Sequence, residues 1–292
     1  MSISKNSLTG IICVVTAGVC WGSTGTIQAF MPPGVSPLAV GPARALFSGI
    51  ILLAIMTAVT RGKIFTGRWD LKGVLVAALG SAMYQLTFFT AVKLTGVAVG
   101  TMVAIGVSPP AAGLLGRILF KERLSASWYI ATAMTIAGCT MLILGGNNVV
   151  TVSFAGVLLA LIAAAADALK GVGLRWVRRS PYETIAMVTF ISGIIALPGF
   201  AAAGDISWML QPRGALCMLL LVFVGTIIPY TLFTVGIRKI ELGTGYTLAL
   251  TEPLTACLLS VFLLGERLSF IGICGICILF AGILFLALNK DE

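Results

Sequence analysis

Five ionisable side chains lie inside otherwise apolar stretches of this chain, and chemistry is sought first among them. Asp167 and Lys170 are three residues apart, so on a helix they share a face and can pair. Arg44 stands about eight residues into another stretch, and Glu252 stands mid-way along a third, with Pro253 directly after it. Arg117 falls near the end of a fourth, where a long side chain can snorkel to the membrane surface. A charge at mid-bilayer costs roughly 2.5–3.5 kcal/mol on insertion scales, so each of these groups needs a reason to be there. Asp167 and Lys170 read either as an internal ion pair or as site residues. Arg44 and Glu252 read either as structural charges satisfied within the protein or as cavity residues that meet a substrate or carry a proton.

Uncharged groups extend the set. Trp21, Ser23 and Thr24 fall on one stretch, Tyr84, Gln85 and Phe88 on another, and Tyr230, Tyr246 and Thr247 on two more. A lone tyrosine at the end of a span belongs to the interfacial belt, whereas Tyr84 has Gln85 beside it and Phe88 one turn on. No histidine occurs anywhere, which removes the usual metal ligand and the usual proton relay. Cys274 and Cys277 form a CxxC on an apolar stretch without other ligand residues, a pattern that suits packing. No phosphate-binding loop, catalytic triad or close carboxylate pair is present, so the sequence predicts neither an enzyme nor a cofactor or metal site.

These residues need elements to position them, and composition says which. The chain is 59% hydrophobic and 10% charged, against about 25% charged in ordinary soluble domains. Ten stretches are long enough to cross about 30 Å of hydrocarbon: 8–28, 37–60, 71–92, 96–119, 124–145, 153–174, 182–203, 214–236, 242–264 and 268–288. They are continuously apolar rather than alternating, which predicts helices, not a barrel. The fold class expected is an all-α polytopic membrane protein. Of the basic residues in the links, 13 lie on the side shared by both termini and three on the other. That bias places both termini in the cytoplasm, and it accounts for the net charge of +9 without a nucleic-acid partner.

The chain also repeats itself. At an offset of 144 residues, Pro109 matches Pro253, Ser48-Gly49 matches Ser192-Gly193, and Glu122-Arg123-Leu124-Ser125 matches Glu266-Arg267-Leu268-Ser269. The boundary falls in Gly145-Gly146-Asn147-Asn148, giving halves 1–147 and 148–292 of five spans each. An odd number of spans makes tandem halves face opposite ways, the inverted repeat of many secondary transporters, with a site near mid-membrane between the halves. The charges break the repeat: Asp167 matches Ser23, Lys170 matches Thr26, Glu252 matches Ser108 and Arg44 matches Val188. Pro109 and Pro253 each free a carbonyl one turn back and stand as matching hinge positions.

The duplication, Trp21-Gly22, Arg44, Glu252-Pro253 and the Gly265-Glu266-Arg267-Leu268 turn together resemble the EamA-type transporters of the drug/metabolite transporter superfamily. The resemblance spans essentially the whole chain. It implies ten helices around a central cavity built from spans one to four and six to nine, with the fifth and tenth at the periphery. It also implies export or exchange of amino acids, other small metabolites or toxic organic compounds. The expectation is therefore a secondary transporter in the inner membrane, working by alternating access and most readily exporting an amino acid. Its partners would be a small-molecule substrate, the bilayer and protons. In that expectation Arg44 meets a substrate carboxylate, Glu252 takes a proton or an amine, and Trp21, Tyr84, Phe88 and Tyr230 line the cavity. The alternatives are an exporter of hydrophobic organic cations and a non-transporting membrane sensor on the same fold.

Overall fold

The computed structural model describes residues 5–35, 37–144, 153–202, 206–264 and 269–288. The Gly145–Asn148 link, the 147/148 boundary, the 265–268 turn and Lys290 lie outside the described residues. Eleven helices follow in order: α1 (Lys5–Ala29), α2 (Pro37–Val59), α3 (Leu71–Phe120), α4 (Ala126–Leu144), α5 (Phe154–Trp176), α6 (Pro181–Ala202), α7 (Pro212–Val222), α8 (Ile228–Ile237), α9 (Leu242–Ala249), α10 (Thr251–Leu264) and α11 (Phe270–Leu288). Among the described residues nine helical segments are long and apolar enough to cross a membrane. The 19-residue α4 packs along α11 beside them. The protein is an all-α polytopic membrane protein, as its composition predicts.

Three helices depart from the simple spans, each for a local reason. Helix α3 holds two expected spans in one helical run. A side chain on Gly100 would meet the Val92 backbone at 3.0 Å, whereas eight residues of straight helix rise about 12 Å, so the run doubles back between them. The eighth span is interrupted by a π-helical turn, Phe223–Ile227, in which the Ile228 amide bonds to the Phe223 carbonyl. Pro229 lacks the N–H that would bond four residues back at Gly225, which favours this rearrangement. The ninth span breaks at Leu250, between α9 and α10, where Pro253 leaves the Ala249 carbonyl without its helical donor. Pro109 and Pro110, by contrast, lie inside a continuous helix.

Small residues set the close approaches. Gly18 and Gly22 press α1 onto the α9–α10 break: side chains there would meet the Glu252 amide nitrogen at 3.2 Å and the Glu252 carbonyl oxygen at 2.6 Å. This GxxxG is therefore what seats Glu252. Gly49 on α2 faces the backbone of Phe190 on α6, and Gly193 on α6 faces the backbone of Leu46 on α2. These two glycines are 144 residues apart in sequence and answer each other across one crossing.

Both ends of the bundle can be told apart. The start of α1 lies beside Lys239 and Ile240, and Lys239 Nζ donates to Asn6 Oδ1 at 2.5 Å. That terminal end also gathers the turn at 63–70, residues 120–124, the end of α5 and the α8–α9 link. Arg61, Lys63, Arg68, Lys121, Arg123, Arg175, Arg178, Arg179, Arg238 and Lys239 all fall there or within the same links.

Candidate functional site

A cavity of about 470 Å³ opens within the bundle. Its lining runs from Gln28, Val92 and Thr101, near the end away from the termini, inward to Asp167, Lys170 and Tyr246. Asp167 stands 13 residues into α5, about 20 Å from that helix's start. The structure brings eleven of the thirteen expected residues to this one space: Trp21, Thr24, Arg44, Tyr84, Gln85, Phe88, Asp167, Lys170, Tyr230, Tyr246 and Glu252; Thr247 is not among them, its hydroxyl pairing with that of Thr132 at 2.9 Å. Ser23 is elsewhere; it does not line the cavity, and its hydroxyl donates to the Cys20 carbonyl at 2.7 Å. Arg117 is exposed near the end of α3.

The four charges are arranged unequally. Lys170, 5% exposed, donates to Asp167 Oδ1 one turn back, so this pair neutralises itself. Lys170 Nζ also lies 5.0 Å from the centre of the Tyr230 ring and 5.6 Å from that of Tyr84, within cation–π range. Tyr246 donates its hydroxyl to the backbone carbonyl of Asp167, and Gly171 leaves room for its ring. Arg44 and Glu252 differ. Among the described residues neither side chain has an ion pair or hydrogen bond. The π-turn lies beside the guanidinium: a side chain on Gly225 would meet Nη1 at 3.6 Å. Glu252 occupies the first turn of α10, where free amides and the helix dipole favour negative charge.

The aromatic wall has two parts, with Lys170 between Tyr230 of one and Tyr84 of the other. Trp21 meets Tyr230 edge-on at 5.1 Å between centroids and Phe233 at 5.3 Å; Phe233 meets Tyr246 at 5.3 Å; Tyr84 stacks on Phe88 at 5.4 Å. Sequence reasoning missed Gln28, Thr101, Ser108 and Phe233. Signals for two of them existed: Gln28 follows Thr24 by one turn, and Ser108 is the repeat partner of Glu252.

The terminal end is shut. Leu174, Ile237, Leu242 and Leu248 are all fully buried there or just above it. Glu122, its side chain 6% exposed, accepts from Arg175 Nη1 and from the Leu242 amide at 3.0 and 3.2 Å, tying the link after α3 to α5 and α9. Arg238 donates to the Leu174 and Val177 carbonyls at 2.9 and 2.8 Å, closing off the end of α5. Partial burial there draws its pKa below the usual arginine value. Arg179 reaches the Ile64 carbonyl at 2.9 Å and lies over the Trp69 ring. Removing the Glu122 charge should loosen this closure first. Glu122→Gln is expected to speed amide hydrogen exchange over 242–248 by at least about tenfold, the worth of one charge-assisted hydrogen bond. Unchanged exchange would remove Glu122 from that role.

A model described as the EamA-like transporter family matches residues 8–144 and again 154–288. The chain belongs to the EamA-like transporter family. This EamA-like protein is 38% identical to "Uncharacterized transporter YwfM" of Bacillus subtilis (strain 168), over 94% of its own length and 92% of the relative's. It is 27% identical to "Threonine/homoserine exporter RhtA" of Salmonella typhimurium (strain LT2), over 69% of its length and 67% of that protein's. A solved crystal structure superposes over all of both chains with a TM-score of 0.82 at 18% identity, a likeness that bears on fold alone. The protein is thus a multi-pass membrane transporter, with the bilayer around it and a small molecule as its substrate.

Proposed function

We propose that this EamA-like protein exports an amino acid or a closely related zwitterion across the bacterial inner membrane by alternating access. One observation carries the reading: two opposite charges without ion-pair partners among the described residues, Arg44 and Glu252, face one cavity whose other two charges cancel. A zwitterion answers Arg44 with its carboxylate and leaves Glu252 to take a proton or the ammonium. The volume suits a small metabolite. A hydrophobic organic cation fits worse, because Arg44 and Lys170 share the space. Export accords with the name of the threonine/homoserine exporter.

In this reading the chain is two inverted five-span halves, 1–147 and 148–292, with the reciprocal Gly49 and Gly193 crossing near the axis that relates them. The basic terminal end faces the cytoplasm, so the closed contacts lie inside and the cavity faces outward. Transport then requires the Glu122 contacts to open. The breaks at Leu250 and the π-turn are natural places for that bending, with Pro253 as the hinge and Pro109 as its counterpart.

Ligand-dependent melting of the purified protein tests the substrate class. Amino acids at 100 times their dissociation constant are expected to stabilise by about 2.7 kcal/mol. Organic cations and phosphorylated anions at matched concentration should leave the melting temperature unchanged. Stabilisation by lipophilic cations alone would overturn the reading.

A further inference from the structure

Behind Arg44 lies a second, much smaller chamber of about 20 Å³, room for one water-sized or monatomic occupant and too little for an organic carboxylate. It shares Arg44, Gln85, Lys170 and Tyr230 with the main cavity and adds a polar set of its own, Ser81, Thr189, Ser192 and Thr226. Its lining holds two cations and no carboxylate; Asp167 and Glu252 face only the main cavity. Among the described residues Ser192, 1% exposed, has an Oγ without a hydrogen-bond partner, and Gln85 Oε1 is likewise buried and unpartnered. A half turn of the Gln85 amide brings its NH2 to the same spot. Leu174, Ile185 and Val188 form the apolar back of the chamber. Buried polar atoms left unpaired cost about 1–3 kcal/mol each, so an occupant is called for.

We propose that this chamber binds a single halide, chloride under physiological conditions. Arg44 is the reason to prefer an anion to water. Its guanidinium has no ion-pair partner among the described residues, Glu252 lines only the main cavity, and a water would satisfy Ser192 while leaving the guanidinium without an anion in contact. The groups that ring the space are N–H and O–H donors from α2, α3, α5, α6 and the π-turn, which is what a desolvated anion needs. Thr226 already donates to the Leu221 carbonyl, so Ser192 and Thr189 are the hydroxyls free to turn toward it. The halide would share the Arg44 guanidinium with whatever anionic group the main cavity carries.

Melting of the full-length protein in detergent, with chloride exchanged for gluconate or sulfate at constant ionic strength, tests this. Chloride and bromide are expected to stabilise saturably where gluconate and sulfate do not. Ser192→Ala is expected to raise the half-saturating chloride concentration about tenfold, one hydrogen bond to a charged group. Thr189→Val should act in the same direction and covers the case in which Ser192→Ala does not fold. Equal melting in all four anions, or a sulfate effect as large as that of chloride, would assign the chamber to water. A chloride effect unchanged in both variants would place the ion elsewhere and overturn the site.

Discussion

Arg44→Ala lowers flux of an amino-acid substrate about a hundredfold below saturation. Arg44 is reached from the cavity, lies beside the π-turn, and has no carboxylate partner of its own among the described residues. Its guanidinium can hold a substrate carboxylate with two parallel N–H donors, a contact worth about 3 kcal/mol, or roughly 10² in affinity. Arg44→Lys keeps the charge but loses the fork, and an intermediate loss of about tenfold is expected. Initial rates in proteoliposomes, with melting temperature read on the same preparations, separate lost recognition from lost folding. In chloride-free buffer the stability of Arg44→Ala should not fall, because the substitution breaks no ion pair among the described residues. Wild-type flux in Arg44→Ala would end the proposed role of this residue, and a folded variant with no amino-acid-dependent melting shift would support it.

Much of the site could be read from cost. Arg44, Asp167, Lys170 and Glu252 are expensive inside apolar helices, so each had to face a partner or a cavity, and all four line the same space. Tyr84 and Phe88 followed from helical spacing, and the structure stacks them. Thr101 carried no such signal, since an uncharged polar side chain costs little wherever a helix can satisfy it, and only its place one turn after Thr24 pointed to Gln28. Ser23 shows the same limit from the other side: its hydroxyl is content with the Cys20 carbonyl, and its face of α1 points away. The break at Leu250 was foreshadowed by Pro253, whereas the π-turn was not anticipated although Pro229 stands in the same relation to it. A proline says that a hydrogen bond is missing, and packing decides whether the helix breaks, bulges or, as at Pro109, continues. The small chamber could not be foreseen, because Ser81 and Gln85, Ser192 and Thr226 come from three helical segments with no shared sequence pattern.

Glu252→Gln removes uphill transport and spares exchange. Glu252 sits in the first turn of α10, one residue past the Leu250–Thr251 break, with Gly18 and Gly22 fixing its backbone against α1. Around the same cavity stand Arg44, Asp167, Lys170, Tyr84, Tyr230 and Tyr246; with no histidine in the chain, a carboxylate is the group left to cycle a proton near neutral pH. Asp167 is held by Lys170, which leaves Glu252 as the carboxylate free to do so. If one proton enters for each zwitterion that leaves, a gradient of one pH unit supports about tenfold substrate accumulation. In Glu252→Gln that ratio should fall to about one, while counterflow of labelled against unlabelled substrate continues, because the neutral amide stands in for the protonated acid. Retention of the gradient-driven tenfold would exclude Glu252 as the coupling group. Loss of counterflow together with accumulation in a folded variant would assign it instead to the substrate's ammonium, and the two outcomes can be told apart in one vesicle preparation.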